Sequence, residues 1–356
     1  MIRMFRILVA GAALMGGTRV QAAPDHVDIT WMSITNMYFE VGRQKIVADG
    51  YITRLPAEIF HGGVTGMALT NRPAQPDMAA VREVFDALGG QSAVNLLLNG
   101  HSHFDHSFDT PAWAKLSGAR MIGSPTLCLQ VQAVGLPASR CTPVFGGEKF
   151  SLERGVDLYV IRWNHSGDPA KNPEQHDPRE LEAVPAADSS GALRAGLTED
   201  FPNGGGNRAY LFTVAGPAGR FSWFFQDSAS PVDLHEHIVI GGKDYGAPID
   251  NLRAAMKAAG VESVDLWIAT GGRGVAELVL PVLRPKAYLP VHWDGLYGAF
   301  KAGPAEPYAD ADLEALLAKQ GVRRIVPAQY MDKWRLDPQG IRALDNSAVK
   351  RKLGFN

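Results

Sequence analysis

The amino-acid sequence predicts a layered α/β domain, with sheets inside and helices outside. Three observations carry that prediction. β-rich runs fill the N-terminal part, strand and helix patterns alternate through the C-terminal part, and short apolar strands run straight into polar loops. In chain order, residues 27–35, 37–41 and 45–49 are rich in Ile, Val, Thr and aromatics and read as strands, with Gly42-Arg43 as a turn. Residues 77–88 have helical spacing through Met78, Val81, Val84, Phe85 and Leu88, and Gly89-Gly90 stops the helix. Residues 94–98, apolar except for Asn95, suit a strand covered on both faces. Thr110-Pro111 opens a helix ending at Gly118, with Thr as N-cap and Pro in the first turn. Residues 157–163 form a further strand. After it, 166–206 carries Pro, Gly, Asp, Glu and Asn with little apolar periodicity, and so long a segment inside a compact domain reads as a lid. A hairpin follows, 207–214 and 220–226 around the turn Gly216-Pro217-Ala218-Gly219. The remainder alternates: helix 250–259, strand 264–269, helix 275–283, strand 286–291, helix 310–319, strand 322–326. No linker divides the chain, so 23–356 is expected to form one domain.

Composition narrows the chemistry. Of 356 residues, 46% are hydrophobic and 20% charged, which excludes wholesale disorder. Two cysteines cannot make a disulfide scaffold or a four-thiolate metal site. A formal charge of −2 provides no basic field for nucleic acid. Residues 1–22 read as a secretory signal peptide: Arg3 and Arg6 start it, Ile7 to Met15 are apolar, and Val20-Gln21-Ala22 ends it with compact residues. The apolar run falls short of the roughly 20 residues that span a bilayer. Cleavage after Ala22 leaves 32 basic and 37 acidic residues, a net charge of −5. The expected location is therefore the periplasm. In that oxidising compartment Cys128 and Cys141 are either a disulfide or two separate buried thiols.

Metal chemistry must then come from His, Asp and Glu, and one stretch concentrates them: Asn99-Gly100-His101-Ser102-His103-Phe104-Asp105-His106. It directly follows the apolar strand 94–98, and loops at the C-terminal ends of strands are where α/β proteins place ligand-binding groups. His101 and His103, two apart, point the same way from an extended segment. Asp105 and His106 come where the chain turns into the next helix and face a different point, which suits two cations side by side.

This string resembles the signature of the metallo-β-lactamase-fold hydrolase superfamily. The resemblance extends over about residues 27–336 and implies a four-layer αββα sandwich. It also implies three further ligands in a set order, and the sequence supplies His165 after strand 157–163, Asp227 after Gln226, and His292 after strand 286–291. One metal would be held by His101, His103 and His165, the other by Asp105, His106 and His292, with Asp227 bridging. Nitrogen and carboxylate donors without thiolate suit Zn²⁺ best, with Mn²⁺ or Fe²⁺ as alternatives. Two such ions about 3.5–4 Å apart share a hydroxide nucleophile, which Asp105 would orient as the catalytic carboxylate. Asp49 is either a partner for a ligand imidazole or a turn residue before Gly50. Trp163, Trp293 and Tyr297 flank ligands and read as an apolar wall for substrate or as ordinary core. The remaining histidines, His26, His61, His176, His235 and His237, read as structural or surface residues.

The closing segment Leu289-Pro290-Val291-His292-Trp293-Asp294-Gly295 looks like the lactonase and phosphodiesterase-like branch. It implies hydrolysis of an ester, lactone or phosphodiester bond in a small molecule, without nucleic acid and without stable membrane insertion. Asp227 argues against a true β-lactamase, a residue which that branch generally lacks; a β-lactam hydrolase and a non-catalytic metal-binding scaffold remain the alternatives.

Overall fold

A computed structural model describes residues 22–355. The leader expected over 1–22 lies, apart from Ala22, outside the described residues. Two large mixed sheets face each other, and helices cover their outer faces. In the first sheet the strands run in the spatial order Gly340–Leu344, Asp332–Asp337, Val27–Ser33, Asn36–Val41, Gln44–Ala48, Leu96–Leu98, Arg120–Gly123, Cys141–Pro143. The second runs Arg323–Arg324, Ala287–Pro290, Leu266–Ala269, Gly219–Phe225, Asn207–Gly216, Val156–Trp163, Lys149–Glu153. Each sheet begins as an antiparallel meander and continues as parallel strands joined through helices. This is the αββα sandwich implied by the opening motif.

Inward-facing side chains of both sheets make the central core. Phe39 of the first sheet meets Phe212, Trp223 and Phe225 of the second at ring-centroid distances of 5.7, 5.8 and 6.1 Å. Each such ring, fully buried, contributes about 1.5–3 kcal/mol. A separate apolar cluster lies under the outer helices Pro248–Ala259, Gly272–Leu283 and Ala311–Lys319, and it buries Leu252, Val279 and Leu313 against Trp267 and Tyr288. The helix Met78–Ala87 starts as expected, with Asp77 accepting from the backbone N–H groups of Ala79 and Ala80.

Several expectations are corrected. The N-cap of helix Thr110–Ser117 is Asp109, not Thr110, and its carboxylate is used elsewhere: it accepts from the N–H groups of Ile52 and Thr53 at 2.6 and 2.7 Å. The strands Arg120–Gly123, Cys141–Pro143 and Lys149–Glu153 were too short to show a period. The C-terminal hairpin Asp332–Asp337 and Gly340–Leu344 returns to pair with Val27–Ser33, a register that local pattern does not encode. Cys128 and Cys141 form a disulfide, with Cα atoms 5.4 Å apart. The expected lid divides in two. Residues 166–191 are exposed or half-buried around the single helical turn Pro173–His176. By contrast Leu193, Ala195, Leu197 and Phe201 are buried with Tyr51, Phe104 and Phe108, so this second half is part of the packed body. Among the described residues, no helix is long and apolar enough to cross a membrane.

Candidate metal centre

Every candidate ligand stands just past the C-terminal end of a strand. His101 to His106 follow Leu96–Leu98, His165 follows Val156–Trp163, Asp227 follows Gly219–Phe225, and His292 follows Ala287–Pro290. The sandwich therefore brings to one edge residues up to 191 positions apart in sequence. Their donor atoms form three overlapping triads, each within 4.8 Å: His101, His103 and His165; His101, His106 and Asp227; Asp105, His106 and His292. His101 links the first triad to the second and His106 the second to the third, so all seven predicted residues form one continuous cluster. The His101–His103, His101–His165 and His103–His165 ring centroids are 4.7, 4.8 and 4.8 Å apart. The Asp227 carboxylate sits between the two sets, 2.7 Å from His101 Nδ1 and 3.5 Å from His106 Nδ1. Asp105 Oδ2 lies 3.1 Å from His106 Nε2 and 3.3 Å from His292 Nε2. Gly100 is required at its place, because a Cβ there would lie 2.0 Å from Asp227 Oδ2.

The electrostatics fit a cation. Burial and the neighbouring imidazoles hold His101 and His165 well below the ordinary histidine range, and burial brings His103 down to about 3. Three neutral imidazoles thus crowd lone pairs into one space. Burial and the charge of Asp49 push the Asp227 carboxyl well up. Burial works against charge on His106, yet Asp105 and Asp49 keep its imidazolium favoured well above the usual range. Buried carboxylates and neutral nitrogens at this density are what a divalent ion neutralises.

Asp49 holds His106. Its Oδ2 is 3.0 Å from His106 Nδ1 and accepts from Thr35 Oγ1 at 2.7 Å, while Oδ1 accepts from the Gly100 N–H at 3.1 Å. Asn99 Nδ2 donates to the His106 carbonyl at 2.9 Å. Residues that sequence reasoning missed lock the His292 loop. Asp294, fully buried, accepts from the Ile34 N–H at 3.0 Å and from the Tyr330 hydroxyl at 2.6 Å, and pairs with Arg54 at 3.3 Å. His292, Ile34, Asp49 and Arg54 all adopt positive φ, between 45° and 65°, and such strain persists only where surrounding bonds over-determine it. The one available signal was the intact Trp293-Asp294-Gly295 segment.

Of the three aromatics, Trp163 is 1% exposed and packs edge-on against Phe224, reaching the surface only beside His165. Trp293 stacks on Trp31 at 5.4 Å, and Tyr297 is 37% exposed, 6.1 Å from Phe60. His237 pairs with Asp244 at 2.7 Å beside the ribbon Val239–Ile240 and Lys243–Asp244, and it lines the same pocket as His165. His176, read as structural or surface, lies inside: its ring is 5.5 Å from that of His165 and its side chain is only 9% exposed.

An αββα sandwich with a His/Asp cluster along one edge of its strands has the layout expected of the metallo-β-lactamase fold. No family model matches the chain. A UPF0173 metal-dependent hydrolase of Pyrobaculum arsenaticum is 27% identical over 140 residues, covering 39% of this chain and 51% of that protein. One from Pyrobaculum islandicum is 33% identical over 70 residues, 20% of this chain and 31% of the relative. The chain thus spans about half or less of the curated relatives it matches. Among solved structures, Igni18, a metallo hydrolase of Ignicoccus hospitalis, gives a TM-score of 0.48 at 10% identity, covering 88% of this chain and 99% of that one. The metallo-beta-lactamase fold protein YhfI of Bacillus subtilis gives 0.46 at 10% identity, covering 87% and 99%.

Proposed function

We propose that this chain is an exported hydrolase that binds two divalent ions, preferably Zn²⁺, and cleaves an ester, lactone or phosphodiester bond in a small molecule. The observation that carries the reading is the single cluster of seven ligand-type residues, all buried but the half-buried His292, with three imidazoles on one side and Asp105, His106 and His292 on the other. His101, His103 and His165 would hold one ion; Asp105, His106 and His292 the other; Asp227, lying between the sets, both. When bound, such ions supply a nucleophile from water at neutral pH and polarise the scissile oxygen. Asp105, facing His106 and His292, is placed to orient the attacking water and take its proton. Asp49 keeps His106 turned with Nε2 toward the cluster, and Arg54 and Asp294 fix the loop that carries His292. The Cys128–Cys141 disulfide supports an oxidising location.

The test is metal analysis of the purified chain with a hydrolysis screen of zinc- and manganese-loaded enzyme. Lactones, aryl esters, bis-aryl phosphodiesters and a chromogenic cephalosporin separate the bond types. About two equivalents of metal and turnover of one ester-like class are expected. Less than one equivalent would leave a scaffold protein, and turnover of the cephalosporin alone would make it a β-lactam hydrolase.

A further inference from the structure

Beside His165 opens a pocket of about 230 Å³, smaller than a site that encloses a whole drug-sized ligand. Its lining carries an unusual concentration of buried polar atoms that have no hydrogen-bond partner among the described residues: Trp163 Nε1, Asn164 Oδ1, His176 Nε2, Asn203 Oδ1 and Asn207 Oδ1. Trp163, Asn164, Asn203 and Asn207 are 0–5% exposed. Native interiors leave few such atoms, and each costs about 1–3 kcal/mol when nothing meets it. Five in one pocket point to a ligand that satisfies them.

The neighbours decide what each atom offers. Asn164 Nδ2 donates to the Asp233 carboxylate at 2.5 Å and to the Ser230 carbonyl at 2.8 Å, so Oδ1 is an acceptor. Asn207 Nδ2 donates to Asp227 Oδ1 at 3.3 Å, which likewise leaves Oδ1 accepting. His176 turns Nδ1 toward Asp233 Oδ2, 3.8 Å away, and the opposite nitrogen, Nε2, is the free one. Trp163 Nε1 can only donate. No lysine or arginine lines the pocket, while Asp233 and Glu236 do, so an anionic group has nothing to pair with. Uncharged groups that both donate and accept match acceptors and a donor set side by side, and hydroxyls do so from a single atom.

We propose that this pocket binds a polyhydroxylated, uncharged portion of the substrate, a sugar-like group attached to the scissile bond, and that His176, facing Asp233, orients it. The proposal deepens the hydrolase reading and rests on it for the location of the scissile bond. The insert therefore contributes a substrate-positioning residue through its single turn Pro173–His176, and the same turn holds the loop between the paired strands Phe60–His61 and Leu69–Thr70, Glu174 accepting from the Val64 N–H at 2.8 Å.

Saturation-transfer NMR on the metal-loaded full chain tests it, with D-glucitol as the hydroxyl-rich probe. 1,6-Hexanediol and 1,6-diaminohexane serve as hydroxyl-poor and ammonium probes of equal carbon count. D-Glucitol is expected to saturate most strongly. Its signal should weaken about fivefold for each hydrogen bond removed in His176→Phe and Asn203→Leu, and recover partly in His176→Gln, which keeps an acceptor. Metal content and aryl-ester turnover are measured on the same preparations. Loss of metal or turnover with the D-glucitol preference intact would sink the hydrolase reading and leave the pocket assignment standing. Equal saturation by D-glucitol and 1,6-hexanediol would overturn the pocket assignment, as would a signal unchanged in both truncating variants. A stronger response to 1,6-diaminohexane would overturn the hydroxyl chemistry in favour of an ammonium group.

Discussion

The two flanks of the candidate metal centre differ in how completely their polar atoms are used. Around His106 and His292 the bonding is dense: Asp49, Thr35 and Asn99 brace one side chain, and Asp294, Arg54 and Tyr330 brace the loop of the other, with Asn99 Oδ1, Arg54 Nε and Trp293 Nε1 left over. Around His165, by contrast, Trp163, Asn164, His176, Asn203 and Asn207 each keep a buried atom without a partner. A densely braced flank holds geometry, because second bonds fix His106 and the loop that carries His292. An unsaturated flank stores hydrogen-bonding capacity for something that arrives later. The difference teaches that support and recognition are divided between the two sides of one cluster.

Breaking the shared chemistry should give the largest effect. Asp105→Ala is expected to lower hydrolysis about 10²–10⁴-fold with an unchanged circular-dichroism spectrum, and undiminished turnover would remove Asp105 from the mechanism. Asp49→Asn strikes the braced flank. It should weaken metal binding about 10–100-fold in competition with a chelator, since His106 loses its carboxylate partner. His176→Phe strikes the other flank, where metal affinity should hold and discrimination between hydroxylated and plain substrates should fall a few-fold; equal metal loss in both variants would erase the contrast.

Two effects lie outside both flanks or beneath them. Replacing Cys128 by Ser opens a 14-residue loop and should cost about 3 kcal/mol in denaturant unfolding of the non-reduced protein, without altering metal stoichiometry. Acid should also destabilise the metal-free chain. The folded state holds His103 at about 3, whereas the unfolded chain returns it to 6.5, so below pH 6.5 the unfolded state takes up a proton that the folded state refuses. Stability is then expected to fall as pH drops from 6.5 toward 3, and a denaturation midpoint unchanged between about pH 7.5 and 5 would contradict it.

Much of this molecule was legible as sequence. The strands 27–49, the capped helices and the hairpin Asn207–Gly216 and Gly219–Phe225 show their periods locally, because burial on one or two faces writes itself into residue spacing. The motif His101 to His106 was legible for the same reason: its donors fall within six consecutive positions just past one strand. His165, Asp227 and His292 needed the resemblance to order them, as a single His or Asp after a strand has no local signature. The disulfide was open at that stage. So was Asp49, which in the fold turns the chain at φ 60° and also lies 3.0 Å from His106 Nδ1.

The linear chain by itself determined which elements exist and which residue types can hold metal, since both follow from spacing and side-chain chemistry. Only the tertiary structure decided which polar atoms would find partners. The Arg54–Asp294–Tyr330 lock joins residues 276 positions apart, and the unpartnered atoms beside His165 come from three separate segments. Hydrogen-bond satisfaction is a property of what surrounds an atom in space, and two sheets packed face to face set those surroundings without leaving a local trace in the order of residues.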